Sequence, residues 1–564
     1  MPYNKRTPIF FTIVFLLCLN VAAIDSLDFV APVQHEIKLS GNFMELRTNH
    51  FHTGIDIKSS NGKTGDPILS IGEGYISRIK IQSGSYGQVL YIDHPNGYTS
   101  VYAHLEAFQD TLEQWIKDLQ YDLQSYELDI YLPDSLFQVG KGEMIGRMGN
   151  TGRSFGPHLH FELRETSSEK PINPEILHFV PDDTIDPIIQ SLRIYEFDQL
   201  GHNTDSYARY FKRTQPEYSL HNDFIKSDAP MVAFGLQCFD QINGSYNKNG
   251  INAYQVYVND SLFFYWKAEN YSFHESKRIN GFIDYERKYK SNQTVYKLFK
   301  PDCASLEYFS NQEGNGILKL VTDSIYNIRI EISDFKNNES ILKFKVSSIV
   351  SSNTEINPAQ INCDSVMNLS AGMFKARVPG DILFKHNGGI NFKAGKAEVM
   401  GSQCHMFKLG KAHEAVSSYY TVSCPLPPKD LEKYTFVGLD NKGRYIHFGA
   451  DTISGQLYTQ LDQLGSFYVY KDIVPPTIEL LQYGDRINKP FLFRISDNLI
   501  PDGKVQDLSY DAFVNGRWVR MIYDLKTRTL LFKDFDKIPD QEDIEFVLKV
   551  ADAQDNESIW MGRL

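Results

Sequence analysis

The stretch Thr151-Gly152-Arg153-Ser154-Phe155-Gly156-Pro157-His158-Leu159-His160-Phe161-Glu162-Leu163-Arg164 decides how the N-terminal part of this chain folds. From His158 onward polar and apolar residues alternate with period two, which predicts a β-strand. Residues two apart on a strand leave the same side, so both imidazoles share one face while Leu159 and Phe161 turn to a core. Gly152, Gly156 and Pro157 form the loop that delivers the strand. Two imidazoles side by side suit a metal-binding or acid–base site. An H-x-H pair taken alone reads more readily as a pair of surface histidines, so the rest of the chain has to decide.

Two earlier segments bear on this. One is Asn49-His50-Phe51-His52-Thr53-Gly54-Ile55-Asp56-Ile57, and the other is Tyr98-Thr99-Ser100-Val101-Tyr102-Ala103-His104-Leu105. With them the sequence resembles the lysostaphin-type (M23) zinc metallopeptidases, which carry an H-x-x-x-D element, a separate mid-chain histidine and a final H-x-H. All three occur here in that order. Ser70–Ile76 resembles the glycine turn after the first element, and Gly142–Gly146 with Gly149–Gly152 resembles the approach to the last. The resemblance spans about Phe29 to Leu177.

The resemblance implies a lysostaphin-type antiparallel β-sheet domain with His52, Asp56 and His160 as ligands of one Zn2+ per chain. Two nitrogens and one oxygen leave a fourth tetrahedral position for water, as in catalytic rather than structural zinc sites. It implies His104 and His158 as the catalytic pair, one accepting a proton and the other stabilising the tetrahedral state or protonating the leaving amine. Which does which stays open. His50 lies two residues before His52 and is expected in a supporting or surface position, because His52 has the family's distance to Asp56. The implied reaction is hydrolysis of peptide cross-links between peptidoglycan stem peptides.

Composition narrows the alternatives. A chain of 564 residues exceeds what one hydrophobic core serves, so about three to five domains are expected. Charged residues at 23% and hydrophobic residues at 42% are ordinary globular values. A net charge of −13 with no Lys/Arg run excludes nucleic-acid binding through phosphate neutralisation. The 33 Tyr and 37 Phe favour strand-rich modules. Residues 1–23 have the three parts of a secretory signal: Lys5 and Arg6, the apolar run Ile9–Leu19, and Val21-Ala22-Ala23. Export to the periplasm or cell envelope is expected, with retention of the segment as an anchor the lesser reading. Cys18 follows Leu17 rather than the small residue that lipid attachment needs. Beyond the signal five cysteines remain, so at least one is unpaired within the chain. Cys404 and Cys424, in neighbouring strand-like segments, are the pair expected to bridge.

Along the chain, alternation predicts short strands at His35–Leu39 and Phe43–Arg47. Further strands are predicted at Pro67–Ile71, Gly74–Ile81, Gln88–His94 and Thr99–His104. Gly54 and the β-branched Ile55 and Ile57 place the first metal element on a loop entering a strand. His94, at a turn, is expected to be structural. Leu105, Phe108, Leu112, Trp115, Ile116, Leu119, Leu123 and Tyr126 recur at helical steps, so residues 105–139 read as a helical insertion beside the cleft. It is either a cover for an apolar patch or a gate for substrate.

From Asp186 the pattern changes to short strands, and a repeat appears. Ile330–Ser340 parallels Lys549–Ser558, and Phe239-Asp240 through Asn259 parallels Ser496-Asp497 through Asn515. The fold class is therefore mainly β, with the expected organisation 24–177 peptidase domain, 186–348 immunoglobulin-like sandwich, 351–470 β-rich module and 475–564 immunoglobulin-like sandwich. The middle module turns at Asn387-Gly388-Gly389 and Asp440–Gly443. Asp and Asn at the repeated strand ends are expected to hold turns, calcium being the lesser reading.

Two competing functions remain. One is a non-catalytic envelope scaffold that binds a protein partner through the sandwiches. The other is a peptidase of other exported proteins or of pentaglycine-like bridges. The intact His104 and His158 weigh against the scaffold, which needs neither.

Overall fold

A computed structural model describes residues 28–563 except 215, 269–271, 302, 304–314, 349–362, 385–389, 427–428, 441, 485–488, 502–507 and 539–543. The expected signal segment 1–23 and the Asn387-Gly388-Gly389 turn lie outside the described residues, as does Asn441 of the Asp440–Gly443 turn. No helix among the described residues is long and apolar enough to cross a membrane.

The chain is mainly β. Its N-terminal part consists of β1 (Leu39–Gly41), β2 (Ile55–Lys58), β3 (Pro67–Leu69), β4 (Gly74–Ile81), β5 (Gln88–Asp93), β6 (Tyr98–Ala103), β7 (Leu105–Phe108), α1 (Asp110–Leu123), β8 (Leu128–Tyr131), β9 (Met144–Met148) and β10 (His158–Glu165). The large antiparallel sheet runs β1-β2-β10-β6-β5-β4-β8, and β3-β9-β7 form a second, three-stranded sheet. Period two in β10 sends Leu159, Phe161 and Leu163, all fully buried, into one core with Ile55, Ile57, Ile68, Leu105 and Ile116. Each such side chain contributes about 1.5–3 kcal/mol on burial. The opposite face of β10 carries the histidines.

The insertion starts later than its periodicity suggests. Leu105 and Phe108 belong to β7, and the helix begins at Asp110. The reason is the cap: Gln109 is extended, and its side chain accepts from the Thr111 and Leu112 amides. Beyond the helix, β8 and Gln138–Val139 return to pair with β4. Upstream, only Leu39 of the predicted strand His35–Leu39 is extended and paired, and of Phe43–Arg47 only Leu46–Arg47 pairs, with His50–Phe51.

Two sandwiches follow the repeat. The first contains β11 (Ile188–Phe197), β12 (Met231–Phe239), β13 (Ala253–Val258), β14 (Ser261–Lys267), β15 (Ile325–Ser333) and β16 (Glu339–Ser348). Pairs β11–β12 and β16-β15-β13-β14 lie in separate sheets over one core that includes Leu192, Phe234, Tyr254, Trp266 and Ile330. The last contains β17 (Thr477–Gln482), β18 (Phe491–Ser496), β19 (Ser509–Val514), β20 (Arg517–Val519), β21 (Glu545–Ala551) and β22 (Glu557–Arg563), paired β17–β18 and β22-β21-β19-β20 around Phe493, Val514 and Leu548. The repeated segments thus occupy matching places. Between them, two sheets from Val366 to Lys471 enclose Phe374, Phe407, Tyr420 and Phe467.

The expected Cys404–Cys424 bridge is not formed. Both are buried free thiols, as is Cys238, and the disulfide is Cys303–Cys363. Cys404 lies on a strand of one sheet of the middle module and Cys424 on a strand of the other, in different apolar clusters. Adjacent strand-like segments had suggested a shared sheet, which the chain does not make.

Candidate metal centre

Register builds this site. β10 lies between β2 and β6, with His160 opposite both Asp56 and Ala103. Opposed residues on antiparallel strands share a face, so Asp56 and His160 meet. His52 comes from the loop before β2, where Gly54 is required: a Cβ there would lie 2.1 Å from the Phe161 carbonyl oxygen. His104 sits where the chain leaves the large sheet for the small one. Its φ of 62° is a left-handed conformation that costs a non-glycine residue of order 1–3 kcal/mol and is characteristic of functional sites.

The five predicted residues come together. His52 Nε2, His160 Nδ1 and Asp56 Oδ1 are mutually 3.0 Å apart. His158 Nε2 is 3.5 Å from the same Asp56 oxygen. The His104 ring lies 4.8 Å from that of His158 and 6.0 Å from that of His160. Of the remaining histidines singled out, His50 is exposed and bonds the Thr48 carbonyl. His94 is buried between the Glu73 carbonyl and Ser100, a structural role.

Each imidazole is pinned on its outer nitrogen. His52 Nδ1 donates to the Asn42 carbonyl, His104 Nδ1 to that of Thr151, and His158 Nδ1 to that of Gly156, each at 2.8 Å. A carbonyl only accepts, so the inner Nε2 of each of these three carries a lone pair when neutral. His160 Nε2 lies 2.8 Å from Glu162 Oε1, which leaves Nδ1 inward. Arg47 Nη2 holds Asp56 Oδ2 at 2.7 Å, so Oδ1 is the oxygen left facing the histidines.

These residues fit a metal ion. Two lone-pair nitrogens and a carboxylate oxygen converging in a buried site repel one another unless a cation or a proton lies between them. Electrostatics report the same tension. Burial opposes charge on His160, yet the flanking Asp56 and Glu162 carboxylates raise it to about 9. Burial alone would raise Asp56, but the surrounding histidines hold it well below the usual carboxylate range. Burial, with His158 and His160 alongside, pushes His104 down to about 3 and keeps it neutral.

The sequence reading stopped at His160 and missed the support. Glu162 is fully buried, accepts from Tyr86 at 2.5 Å and from Thr53, and is paired with Arg164 at 2.6 Å. The signal was present, since His158, His160, Glu162 and Arg164 continue one face of the strand at period two. Asn42 and Arg47 carried no such pattern and emerge only from the fold.

The model of Peptidase family M23 matches residues 50–120 and 135–174. The DD-carboxypeptidase/endopeptidase Mpg of Neisseria meningitidis is 35% identical over 129 residues, 23% of this chain and 23% of that protein. The peptidoglycan DD-endopeptidase ShyA of Vibrio cholerae is 29% identical over 139 residues, 23% of this chain and 26% of that protein. Among solved structures, the catalytic domain of lysostaphin from Staphylococcus simulans is 21% identical and aligns over 24% of this chain and 89% of its own, with a TM-score of 0.19. The chain thus spans about a quarter of the length of these curated relatives.

Proposed function

With its N-terminal region an M23 family domain, we propose that this chain is an exported zinc endopeptidase that hydrolyses peptide cross-links between peptidoglycan stem peptides. The observation that carries the reading is the convergence of His52, Asp56 and His160, each oriented from behind by a hydrogen-bond partner. His52, Asp56 and His160 would hold one Zn2+. Bound zinc supplies Lewis acidity, which polarises an amide carbonyl and makes water nucleophilic near neutral pH.

The chain's own residues supply the proton handling. His104 and His158 each have Nδ1 committed to a carbonyl, so each exchanges protons only at Nε2. Their rings are neighbours, 4.8 Å apart and tilted by 54°, so one can take a proton from water and the other give one to the departing amine. Glu162, locked by Arg164, fixes the tautomer of His160, as carboxylates behind metal-binding histidines do. Residues 1–23 act as the export signal in this reading. The chain divides at 24–177, 186–348, 351–470 and 475–564, with the second and fourth parts immunoglobulin-like and available to an envelope partner.

The test uses purified chain, metal-stripped and reconstituted, on intact peptidoglycan and defined cross-linked muropeptides. Zinc-dependent release of soluble muropeptides is expected, with product masses that identify a cross-link cut. His158→Ala should lower turnover at least ~100-fold while retaining zinc. Equal release by wild type and variant overturns the peptidase reading and leaves the scaffold.

A further inference from the structure

Outside the histidine site two further clusters of potential ligands occur. The carboxylates of Asp183, Asp240 and Asp334 bring one oxygen each to within 4.8 Å of one another, and so do those of Asp472, Asp497 and Asp552. We propose that each triad is a divalent-cation site and that the cation is calcium, giving two calcium ions per chain.

Proximity of acids alone would not carry this. What does is that oxygens inside both clusters are buried and have no hydrogen-bond partner among the described residues: Asp183 Oδ2 and Asp240 Oδ1 in the first, Asp472 Oδ2 and Asp497 Oδ1 in the second. Asp240 is 2% exposed and Asp472 fully buried. Asn249, backbone-paired to Asp240 and 3% exposed, also leaves both side-chain atoms unpartnered. Buried acceptors without donors are rare because each forfeits its hydration for nothing. Among the described residues, none of the six aspartates is in an ion pair. Burial pushes Asp240 up to about 9, and Asp334 and Asp497 to about 6, the behaviour of carboxylates lacking a countercharge.

The second argument is repetition. In each sandwich one aspartate lies on the lead-in to the first strand (Asp183, Asp472). One follows the second strand (Asp240 after β12, Asp497 after β18), and one follows the first strand of the final hairpin (Asp334 after β15, Asp552 after β21). The framing bonds recur as well. Asn338 Nδ2 donates to the Asp183 carbonyl and to Asp334 Oδ2, and Asn556 Nδ2 to the Asp472 carbonyl and to Asp552 Oδ2. Ser340 donates to the Pro187 carbonyl, and Ser558 to that of Pro476. Both copies keep the same three acids and the same brace around them.

Donor chemistry selects the ion. An all-carboxylate, all-oxygen set suits a hard cation, whereas the nitrogen-containing site around His160 suits zinc. A calcium ion at each triad would tie the connecting segment to two loops of the sandwich that it leads into, fixing how each sandwich leaves the preceding part of the chain.

This inference is independent of the peptidase reading. The full chain, stripped of metal and given back one equivalent of zinc, is titrated with CaCl2 by calorimetry and by thermal unfolding. Two calcium ions per chain are expected, with a Tm that rises with calcium concentration. Asp240→Asn and Asp497→Asn should each bind one, and the double variant none. No heat and no Tm change for the wild type up to ~10 mM, above the weakest dissociation constants of extracellular calcium modules, overturns the proposal whether or not the variants fold. An equal response to MgCl2 overturns the calcium assignment, and two ions still bound by the double variant overturn the location.

Discussion

The first sandwich and the last repeat one strand order and one carboxylate cluster, and they meet the N-terminal sheet in opposite ways. The first takes residues of the N-terminal part into its own core. Phe43, Met44 and Phe51, from the segment leading to His52, pack in one apolar cluster with Trp266, Ile279 and Phe282, and the Phe51 and Trp266 rings stack at 6.3 Å. Asn42 then exchanges two hydrogen bonds with Gly250, at 2.9 and 3.1 Å. The last sandwich meets α1 chiefly through polar groups, beside one edge-on contact of Tyr121 with Trp518 at 5.6 Å. Arg520 holds both oxygens of Asp534 and donates to Gln120 Oε1 at 2.6 Å, while Lys117 reaches Asp534 and Asp536. A shared core cannot part without exposing apolar surface, whereas a polar contact can exchange its partners for water. The copies keep a common interior and differ in how firmly each is attached.

This contrast can be broken, beginning with its strongest element. Phe51→Ala should cost about 3–5 kcal/mol, as large aromatic truncations in cores do, and should lower bound metal as well, because His52 is the next residue. Urea unfolding alongside metal content measures both. A loss of stability with full metal retention would show that the shared core does not support the ligand. Arg520→Leu removes the two-pronged partner of buried Asp534, leaving Lys117 and the Tyr121 hydroxyl, and should cost up to about 3 kcal/mol, read as earlier melting of the C-terminal sandwich with turnover changed less than ~2-fold. Asn42→Ala removes the bonds to Gly250 and should weaken metal binding about 10-fold, the lower end for groups behind metal ligands, measured by chelator competition.

Acid sharpens the comparison further. Burial alone would raise Asp534, but Arg520 and Lys117 hold its carboxyl below the usual range. A carboxylate lowered in the folded state stabilises above its unfolded value, and that stability disappears as pH falls through the folded one. The contact with α1 should therefore loosen below about pH 4, while the apolar attachment of the first sandwich does not respond through this group. Protection of α1 amides from hydrogen exchange across that range checks it. The smallest effect is expected from Lys117→Ala, about 0.2–1 kcal/mol, because Arg520 still pairs with Asp534 and the other partner, Asp536, is exposed.

How much of this was legible beforehand follows from which interactions are local in sequence. His158 and His160 are two apart on a strand, and Asp56 is four from His52, so each short motif was readable, and the resemblance to the M23 peptidases nominated them together. Their convergence needed only the register of β10 against β2. The repeated Asp and Asn positions were readable as turns, and the bonds from Asn338 to Asp334 and from Asn556 to Asp552 are of that kind. Asn42 and Gly250 are 208 residues apart, and Arg520 and Gln120 are 400 apart. No periodicity links such pairs. Cys303–Cys363 escaped for a related reason, since neighbouring strands offered Cys404 and Cys424 as a nearer pair. Helical steps at Leu105 and Phe108 misled because a buried strand also carries apolar residues at that interval.

Asn42 grips the sandwich with its amide and the imidazole of His52 with its carbonyl. Tension that pulled the two bodies apart would therefore act on the same residue that aims a ligand. Mechanical load across that contact and the alignment of His52 would be coupled through one residue, by its side chain on one side and its backbone carbonyl on the other.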